Sequence, residues 1–174
     1  NQTVFYPQGG GQPYDTGVME SENAKFLVNE VRFNEGIVKH IGSFERGAFT
    51  AGDTVHLSVD QERRLLHSRL HSAGHVVDMA VTALNLGWVP GKGYHFPQGP
   101  YVEYAGTLGA SDDKEKLKAD IERTCAQFIA ENHATEVMFP TEEEVKKIFA
   151  RNPVMVIPEG KAPRVVMFGD FGVP

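Results

Sequence analysis

The chain has 174 residues, a formal net charge of −6, 41% hydrophobic residues and a single cysteine, Cys125. The negative charge argues against a generic polyanion-binding protein, the lone cysteine excludes a disulfide framework, and no apolar run approaches the ~20 residues of a membrane span. These values are typical of a globular cytoplasmic protein with one sizeable domain or two small ones.

Residues 1–62 have the pattern of a β-rich domain. Two β-prone segments, KFLVNEVRF and IVKHIGSF, flank the turn signal NEG at 34–36, which predicts a hairpin. The alternation of Val55, Leu57 and Val59 predicts a further strand. Several short strands separated by glycine turns predict a small β-barrel or a curled sheet.

From Glu62 to about Leu86 the hydrophobic period changes to that of a helix. Apolar side chains recur at helical spacing, and no proline interrupts the segment. Asp60 is a suitable N-cap and Gly87 a suitable stop. The sequence therefore predicts one long, partly buried helix.

The second half of the chain alternates between strand-like and helical segments. In chain order, the sequence predicts a Gly/Pro-rich loop at 88–100, a strand at 101–106, a helix at about 112–133 capped by Ser111 or Asp112, a strand at 135–140, a short helix opened by Thr141 with Glu144 in capping-box spacing, and a strand at 164–171. We therefore predict an α+β fold in two domains. Residues 1–62 would form the β-rich barrel domain, packed on residues 63–174 as an α+β metal-binding domain.

Three histidines, His67, His71 and His75, are spaced four residues apart in the predicted helix. Side chains at this spacing lie on one helix face, so two imidazoles can share one metal ion, and zinc is the usual ion in such sites. Four residues exceed one helical turn by about 40°, so one pair, and not all three, is expected to bind. Spacing alone leaves the choice of pair open. The alternative interpretation is a helix with unrelated surface and core histidines.

A zinc site needs three or four protein ligands, and the second predicted helix offers two local candidates, Cys125 and His133. Cys125 shares its spacing with Ile121 and Phe128, a pattern typical of a core stripe in which a cysteine acts as a small hydrophobic residue. We therefore interpret Cys125 as a core residue, regard His133 as the weaker candidate, and expect further ligands elsewhere.

The segment FYPQGGGQP places three glycines, Gly9–Gly11, directly before Gln12. A phosphate-binding loop is not supported, because no G-x-x-x-x-G-K-[ST] pattern follows. Two interpretations remain. The run is either a tight turn that tolerates glycine or a place where backbone approaches a ligand closely.

Four blocks in this order, FYPQGGGQPYDTG, VDQERR, RLHSAGH and GDFGVP, closely resemble the editing domain of alanyl-tRNA synthetases. The resemblance covers essentially the whole chain and is closer still to the free-standing alanyl-tRNA editing proteins of the AlaX type. It implies a small β-barrel followed by an α+β editing domain of the threonyl/alanyl-tRNA synthetase type. It also implies an ATP-independent hydrolase that cleaves Ser-tRNA(Ala) and Gly-tRNA(Ala), with the tRNA acceptor end as its partner.

The resemblance further implies a zinc site. The two histidines of the family motif H-[ST]-A-x-H correspond to His71 and His75, which leaves His67 a supporting or surface role. The family's other two ligands, a Cys and a His in a Cys-Gly-Gly-Thr-His segment, are expected beyond Pro174. We accordingly expect a chain trimmed at both ends, and the lack of aminoacylation-domain sequence favours a free-standing protein.

Several residues gain candidate roles from this resemblance. Separating serine from alanine requires a polar group that pairs with the serine hydroxyl, and Gln12 can both donate and accept. Gly9–Gly11 would let the backbone approach the substrate. Glu103 is a candidate general base or amine contact, or else a solvent-facing strand residue. Asp78 would orient His75 or another histidine ligand, or else be an exposed helix charge.

A tRNA end would also need positive charge near the site. Limited, salt-dependent contacts are expected from the basic residues of the helices and of the loop at 88–100: Arg63, Arg64, Arg69, Lys92, Lys114, Lys116, Lys118, Lys146 and Lys147. Two other functions remain open. The chain could edit another aminoacyl-tRNA, such as the substrate of the threonyl-tRNA synthetase editing domain. It could instead bind tRNA or a protein partner without catalysis, if the remaining metal ligands are absent.

Overall fold

The computed structural model describes residues 2–109, 113–149 and 164–173. In these residues the chain forms three helices and nine strands, which confirms the mixed helix-and-sheet prediction. None of the helices in this part of the chain combines the length and apolarity that a membrane span requires.

The chain divides into two compact units. The first comprises residues 1–72 and 93–101, and the second comprises residues 73–92 and 102–174. The predicted domains 1–62 and 63–174 stay a prediction.

The first unit contains a four-stranded antiparallel sheet in the order β3-β2-β1-β4. Its strands are β1 (Gly17–Glu20), β2 (Lys25–Asn34), β3 (Ile37–Arg46) and β4 (His56–Val59). The predicted hairpin is confirmed: Glu35 and Gly36 have φ of 51° and 81°, as a two-residue turn between twisted strands requires. The described strands form an open sheet, so the predicted closed barrel is not confirmed.

The core of the first unit depends on a β-bulge in β2. Val28 pairs with Gly42 and Glu30 pairs with Ile41, so Asn29 is an extra residue on its strand. In a regular strand, residues 28 and 31 would face opposite sides, and the bulge brings both valines into the core. Val28 and Val31 are buried with Phe5. Partly buried residues around them are Tyr14, Met19, Phe26, Val38, Leu57 and Val59.

The long predicted helix is confirmed as α1 (Gln61–Ala83). The Asp60 Oδ1 atom accepts the backbone N–H of Arg63 at 3.1 Å, so Asp60 caps the helix as predicted. The helix ends before Leu86, because Asn85 adopts a left-handed φ of 51°.

The rest of the described chain adds five strands and two helices, and it contains two differences from the sequence predictions. The elements are β5 (Val89–Tyr94), β6 (Tyr101–Ala105), α2 (Lys114–Glu131), β7 (Thr135–Met138), α3 (Glu142–Phe149), β8 (Val165–Phe168) and β9 (Phe171–Val173). The predicted loop at 88–100 contains β5, which pairs with β6. The predicted last strand is a hairpin, because Gly169, at φ 59°, turns the chain between β8 and β9.

Polar side chains cap the N-termini of helices α2 and α3 in the second unit. The capping box is confirmed: Glu144 Oε2 accepts the N–H of Thr141 at 2.8 Å, and Thr141 Oγ1 accepts the N–H of Glu144 at 3.4 Å. Asp113 caps α2 by accepting the N–H of Lys116. The predicted caps, at residues 111 and 112, lie outside the described residues.

Candidate functional site

The glycine run forms a tight turn that presents Gln12. Gly9 N–H donates to the carbonyl of Gln12 at 3.2 Å, and Gln12 N–H donates to the carbonyl of Gly9 at 2.9 Å. The two central residues, Gly10 and Gly11, have φ of 55° and 76°. Positive φ at both central positions is the pattern of a type I′ turn, which glycine adopts without steric cost. The tight-turn interpretation is confirmed.

The glycines also allow close packing within the first unit. A Cβ atom on Gly11 would overlap the carbonyl oxygen of Gly93, and a Cβ on Gly10 would lie 3.4 Å from Cε1 of His71. Gly9 has only the Pro7 carbonyl near its missing side chain, at 3.9 Å. The close approach seen here is to the protein itself, and the predicted backbone contact with a substrate stays a prediction.

Gln12 and His71 meet in the first unit. The Gln12 side chain is 4% exposed, and its Oε1 lies 3.0 Å from Nδ1 of His71 on α1. In this arrangement Nδ1–H donates to the amide oxygen. Two of the four sequence blocks that carry the resemblance are therefore joined by one hydrogen bond, between residues 59 positions apart.

His95 is a site residue that the sequence did not indicate. Its ring is 4% exposed and stacks on His71, with ring centroids 4.6 Å apart and planes 19° apart. Its backbone N–H donates to the carbonyl of Gly11 at 2.9 Å. His71 thus contacts Gln12 at one ring nitrogen and His95 on one face.

A buried ion pair holds the glycine-rich segment against α1. The Asp15 side chain is fully buried and accepts the N–H of Tyr6 at 2.6 Å and Nε of Arg64 at 2.9 Å. Arg64 Nη2 bonds the same carboxylate and also donates to the carbonyl of Val4 at 2.6 Å. The hydrogen bond to Asp15 raises the pKa of Arg64. Sequence reasoning missed Asp15, because nothing local marks it as the partner of an arginine.

Two arginines that were predicted to contact tRNA have partners within the first unit. Arg64 binds Asp15, and Arg63 donates Nε to the carbonyl of Tyr14 at 3.0 Å while its guanidinium lies 5.2 Å from the Tyr14 ring centre. Their positive charge is used inside the first unit, so we assign them structural roles. Arg69 and Lys92 are exposed and remain candidates for tRNA contact.

His67 is buried rather than a surface residue, which corrects one of its predicted roles. It is 2% exposed, and its Nδ1 atom has no hydrogen-bond partner among the described residues. Burial lowers the pKa of His67, and the positive charge of Arg63 lowers it further. The ring is therefore held in its neutral form.

In the second unit, His75 heads a chain of polar contacts. Its Nδ1 lies 3.2 Å from Oδ2 of Asp78, and the hydroxyl of Tyr104 donates to Oδ1 of Asp78 at 2.6 Å. Burial, followed by the hydrogen bond to Asp78, raises the pKa of Tyr104, so its hydroxyl stays a donor. The Asp78 side chain is only 12% exposed, so the exposed-charge alternative is wrong and the orienting interpretation fits the contacts.

The described residues contain no group of three or more His, Cys, Asp or Glu side chains arranged to hold a metal ion. The two local candidates have protein partners: Cys125 Sγ donates to the carbonyl of Val76 at 3.8 Å, and His133 Nε2 lies 2.8 Å from Glu131 Oε2. Burial raises the pKa of the Cys125 thiol, which disfavours the thiolate that zinc needs.

Glu103 lies on β6, where exposed and half-buried residues alternate. Its side chain is on the exposed side of this strand, as the solvent-facing interpretation expects. Its catalytic role stays a prediction.

Known proteins resemble this chain over both units. Residues 1–63 match the sequence model of the family described as tRNA synthetases class II (A). The alanine–tRNA ligase of Thermococcus kodakarensis is 35% identical over 182 residues, which cover 99% of this chain and 19% of the ligase. The alanyl-tRNA editing protein AlaX-M of Methanosarcina mazei is 33% identical over 157 residues, or 87% of this chain and 61% of that protein. The chain thus spans less than two thirds of the length of either relative.

Proposed function

Because this chain belongs to the homologous family that contains alanine–tRNA ligases and AlaX-M alanyl-tRNA editing proteins, we propose that it acts in alanyl-tRNA editing. The reaction is hydrolysis of the ester that joins a wrong amino acid, serine or glycine, to the 3′ end of tRNA(Ala). The partner is the acceptor end of the mischarged tRNA, and the reaction needs no ATP.

One observation supports this proposal most directly: the 3.0 Å contact between Gln12 Oε1 and His71 Nδ1. It joins the proposed amino-acid selector to a proposed zinc ligand within a single compact unit. A residue that reads the side chain of the amino acid must lie beside the group that acts on its ester, because the two are separated by only a few bonds.

Gln12 has the chemistry to select serine over alanine. Its amide oxygen accepts the His71 proton, and its amide nitrogen carries donors that suit a serine hydroxyl oxygen. A buried site built to bond a hydroxyl rejects the substrate that lacks it, since the polar group of the site is then left unpaired. Correctly charged Ala-tRNA(Ala) is spared on this basis.

The two proposed zinc ligands have the surroundings that such ligands require. Metal-binding histidines generally donate their second ring N–H to a protein oxygen, which fixes tautomer and orientation. His71 Nδ1 lies beside Gln12 Oε1, and His75 Nδ1 lies beside Asp78 Oδ2. Both rings would therefore bind zinc through Nε2. The ion would need at least one more ligand; when bound, it supplies Lewis-acid polarisation or an activated water.

Glu103 remains a proposed general base. A carboxylate can accept a proton from water, and the exposed position of Glu103 on β6 leaves its side chain accessible to solvent. Gly9–Gly11 are proposed to bound the amino-acid site with backbone atoms only.

Deacylation assays on tRNA(Ala) charged with serine, glycine or alanine test the selector. Gln12→Ala should reduce the preference for serine over alanine about 10- to 100-fold, the equivalent of one lost hydrogen bond of roughly 1.5–3 kcal/mol. Gln98→Ala removes an exposed glutamine of the same unit and should leave the preference unchanged. Unaltered selectivity in Gln12→Ala would contradict the selector role.

Elemental analysis tests the metal ligands. His71→Ala and His75→Ala should each lose bound zinc, whereas His67→Leu should retain it. Zinc loss in His67→Leu alone would show that the pair of ligands has been assigned wrongly.

A second candidate function is a module that binds tRNA without hydrolysing it. The observation that favours it is the lack of a three-ligand group among the described residues. Salt-dependent binding of tRNA(Ala) with no deacylation of any charged form, with and without added zinc, would select this function. Deacylation of Thr-charged or other non-alanyl tRNA would instead indicate a different editing specificity.

A further inference from the structure

His95 has no assigned role in the proposed reaction. Its imidazole is almost completely buried, at 4% exposed, and lies against the ring of His71 with a centroid separation of 4.6 Å. A polar ring in such a place costs free energy unless its contacts compensate. The contacts of His95, including its stack on His71, must therefore compensate for this cost.

The protein backbone holds His95 in place. Its N–H donates to the carbonyl of Gly11 at 2.9 Å. A Cβ atom on Gly93 would lie 2.5 Å from Nε2 of His95, and a Cβ on Gly11 would lie 3.1 Å from its Cδ2. Glycine at both positions thus provides the room for this ring on the face of His71.

The hydrogen bond that His71 Nδ1–H donates to Gln12 Oε1 does not by itself restrain every motion of the ring. A bond at Nδ1 fixes the edge of the ring, but it permits the ring to tilt about the axis between Nδ1 and Oε1. A second planar ring stacked at 19° opposes that tilt, because tilting would lose contact on one side and cause overlap on the other. Stacked and edge-to-face pairs both occur in this unit: Tyr94 stacks on Phe96 at 11°, whereas Phe26 and Phe44 meet at 65°.

We propose that His95 is a positioning residue that sets the tilt of the His71 ring and so the direction in which Nε2 meets a metal ion. This inference rests on the proposed function, in which His71 is a zinc ligand. It assigns His95 no proton transfer and no contact with substrate. The proposed effect comes from the flat ring that stacks on His71 at this position.

Two substitutions in the full chain separate a flat ring from mere bulk. His95→Leu introduces an apolar side chain of similar size that has no planar ring. His95→Phe introduces an apolar side chain that has one. His95→Leu should lower zinc affinity, measured by competition with a chromophoric chelator, and kcat/KM for Ser-tRNA(Ala) by about tenfold each. His95→Phe should stay within about twofold of the wild type. The matched control is His56→Leu, at an exposed position of β4.

Wild-type values in His95→Leu, or an equal loss in His95→Leu and His95→Phe, would overturn the proposal. Urea unfolding is measured first, and His95→Gln replaces His95→Leu if the latter does not fold. If the wild type neither binds zinc nor deacylates, the proposed function fails and the positioning role is tested by NMR. Nuclear Overhauser effects between the His71 Cε1–H and the α-protons of Gly10 should then change in His95→Leu and not in His95→Phe, because they report the orientation of the His71 ring against the glycine turn. Unchanged effects in His95→Leu would overturn the inference.

Discussion

The two compact units bury different kinds of side chain. Among the described residues, all four buried polar or charged side chains belong to the first unit: Gln12, Asp15, His67 and His95. The buried side chains of the second unit are apolar: Met79, Ala80, Val81, Val145, Val165 and Val173. Desolvated polar groups weaken a fold unless they are paired, and they gather where chemistry is done. The interior of the first unit is therefore the one that combines an apolar core with buried polar groups.

No charged side chain among the described residues of the second unit is fully buried. Its helix α2 has no buried residue, and the ion pair of Lys116 with Asp120 includes a lysine side chain that is 74% exposed. Its core is a small apolar cluster around Val145 and Val165. Removing one charged side chain should therefore change the free energy of unfolding little in this unit and strongly in the first.

The largest expected difference concerns the ion pairs. Arg64→Met leaves the carboxylate of Asp15 buried without its cation and should lower the free energy of unfolding by about 3 kcal/mol. Lys116→Met in the exposed pair of the second unit should cost less than about 0.5 kcal/mol. Urea unfolding followed by circular dichroism measures both. An equal loss of unfolding free energy in Arg64→Met and Lys116→Met would contradict this difference between the two units.

The next effect compares two glycines with similar backbone angles. Gly87 has φ 67° and no atom within 4 Å of its missing side chain, so Gly87→Ala should cost about 1 kcal/mol for the left-handed conformation alone. Gly11, at φ 76°, adds an overlap with Gly93, so Gly11→Ala should cost about 2 kcal/mol or more. Urea unfolding measures both variants. A smaller loss of unfolding free energy in Gly11→Ala than in Gly87→Ala would mean that the segment at 93–95 moves aside at little energetic cost.

The smallest effect is a pH dependence from His67. Burial lowers its folded-state pKa below the ordinary histidine value of 6.5. Above that pH the ring is neutral in both the folded and the unfolded chain, so stability does not depend on its protonation. As pH falls below 6.5, the unfolded chain gains a proton that the folded chain resists, and stability decreases until the folded pKa is passed.

Comparison of wild type with His67→Leu isolates this contribution. Between pH 7.5 and 5, the wild type should lose about 1 kcal/mol more than the variant. His56→Leu, at an exposed position of β4, serves as the control for the loss of a histidine. Parallel profiles for the wild type and His67→Leu would contradict the prediction.

Local signals predicted much of the fold. The hairpin at Glu35 and Gly36, the cap of α1 by Asp60 and the capping box of Thr141 and Glu144 each depend on a few neighbouring residues, and all three are observed. The strand β5 was missed because Pro90 and its neighbouring glycines signal a loop, whereas pairing with the next strand, β6, decides the structure.

The site was predictable only in part. The resemblance identified Gln12 and His71, which the structure brings together. Asp15 and His95 were missed, because they lie outside any periodic pattern and their partners are distant in sequence; Asp15 and Arg64, for example, are 49 residues apart. Buried polar pairs between loops and helices leave no local pattern in the sequence, so the sequence alone does not predict them.

The turn from Gly9 to Gln12 has a consequence for binding thermodynamics. Its two backbone hydrogen bonds and two left-handed glycines settle the conformation of this segment when the chain folds. Glycine loses more conformational entropy on ordering than any other residue, and here that loss is already complete before a ligand arrives. A ligand that meets Gln12 would then bind without an entropy penalty for ordering this segment, and its affinity would reflect the contacts themselves.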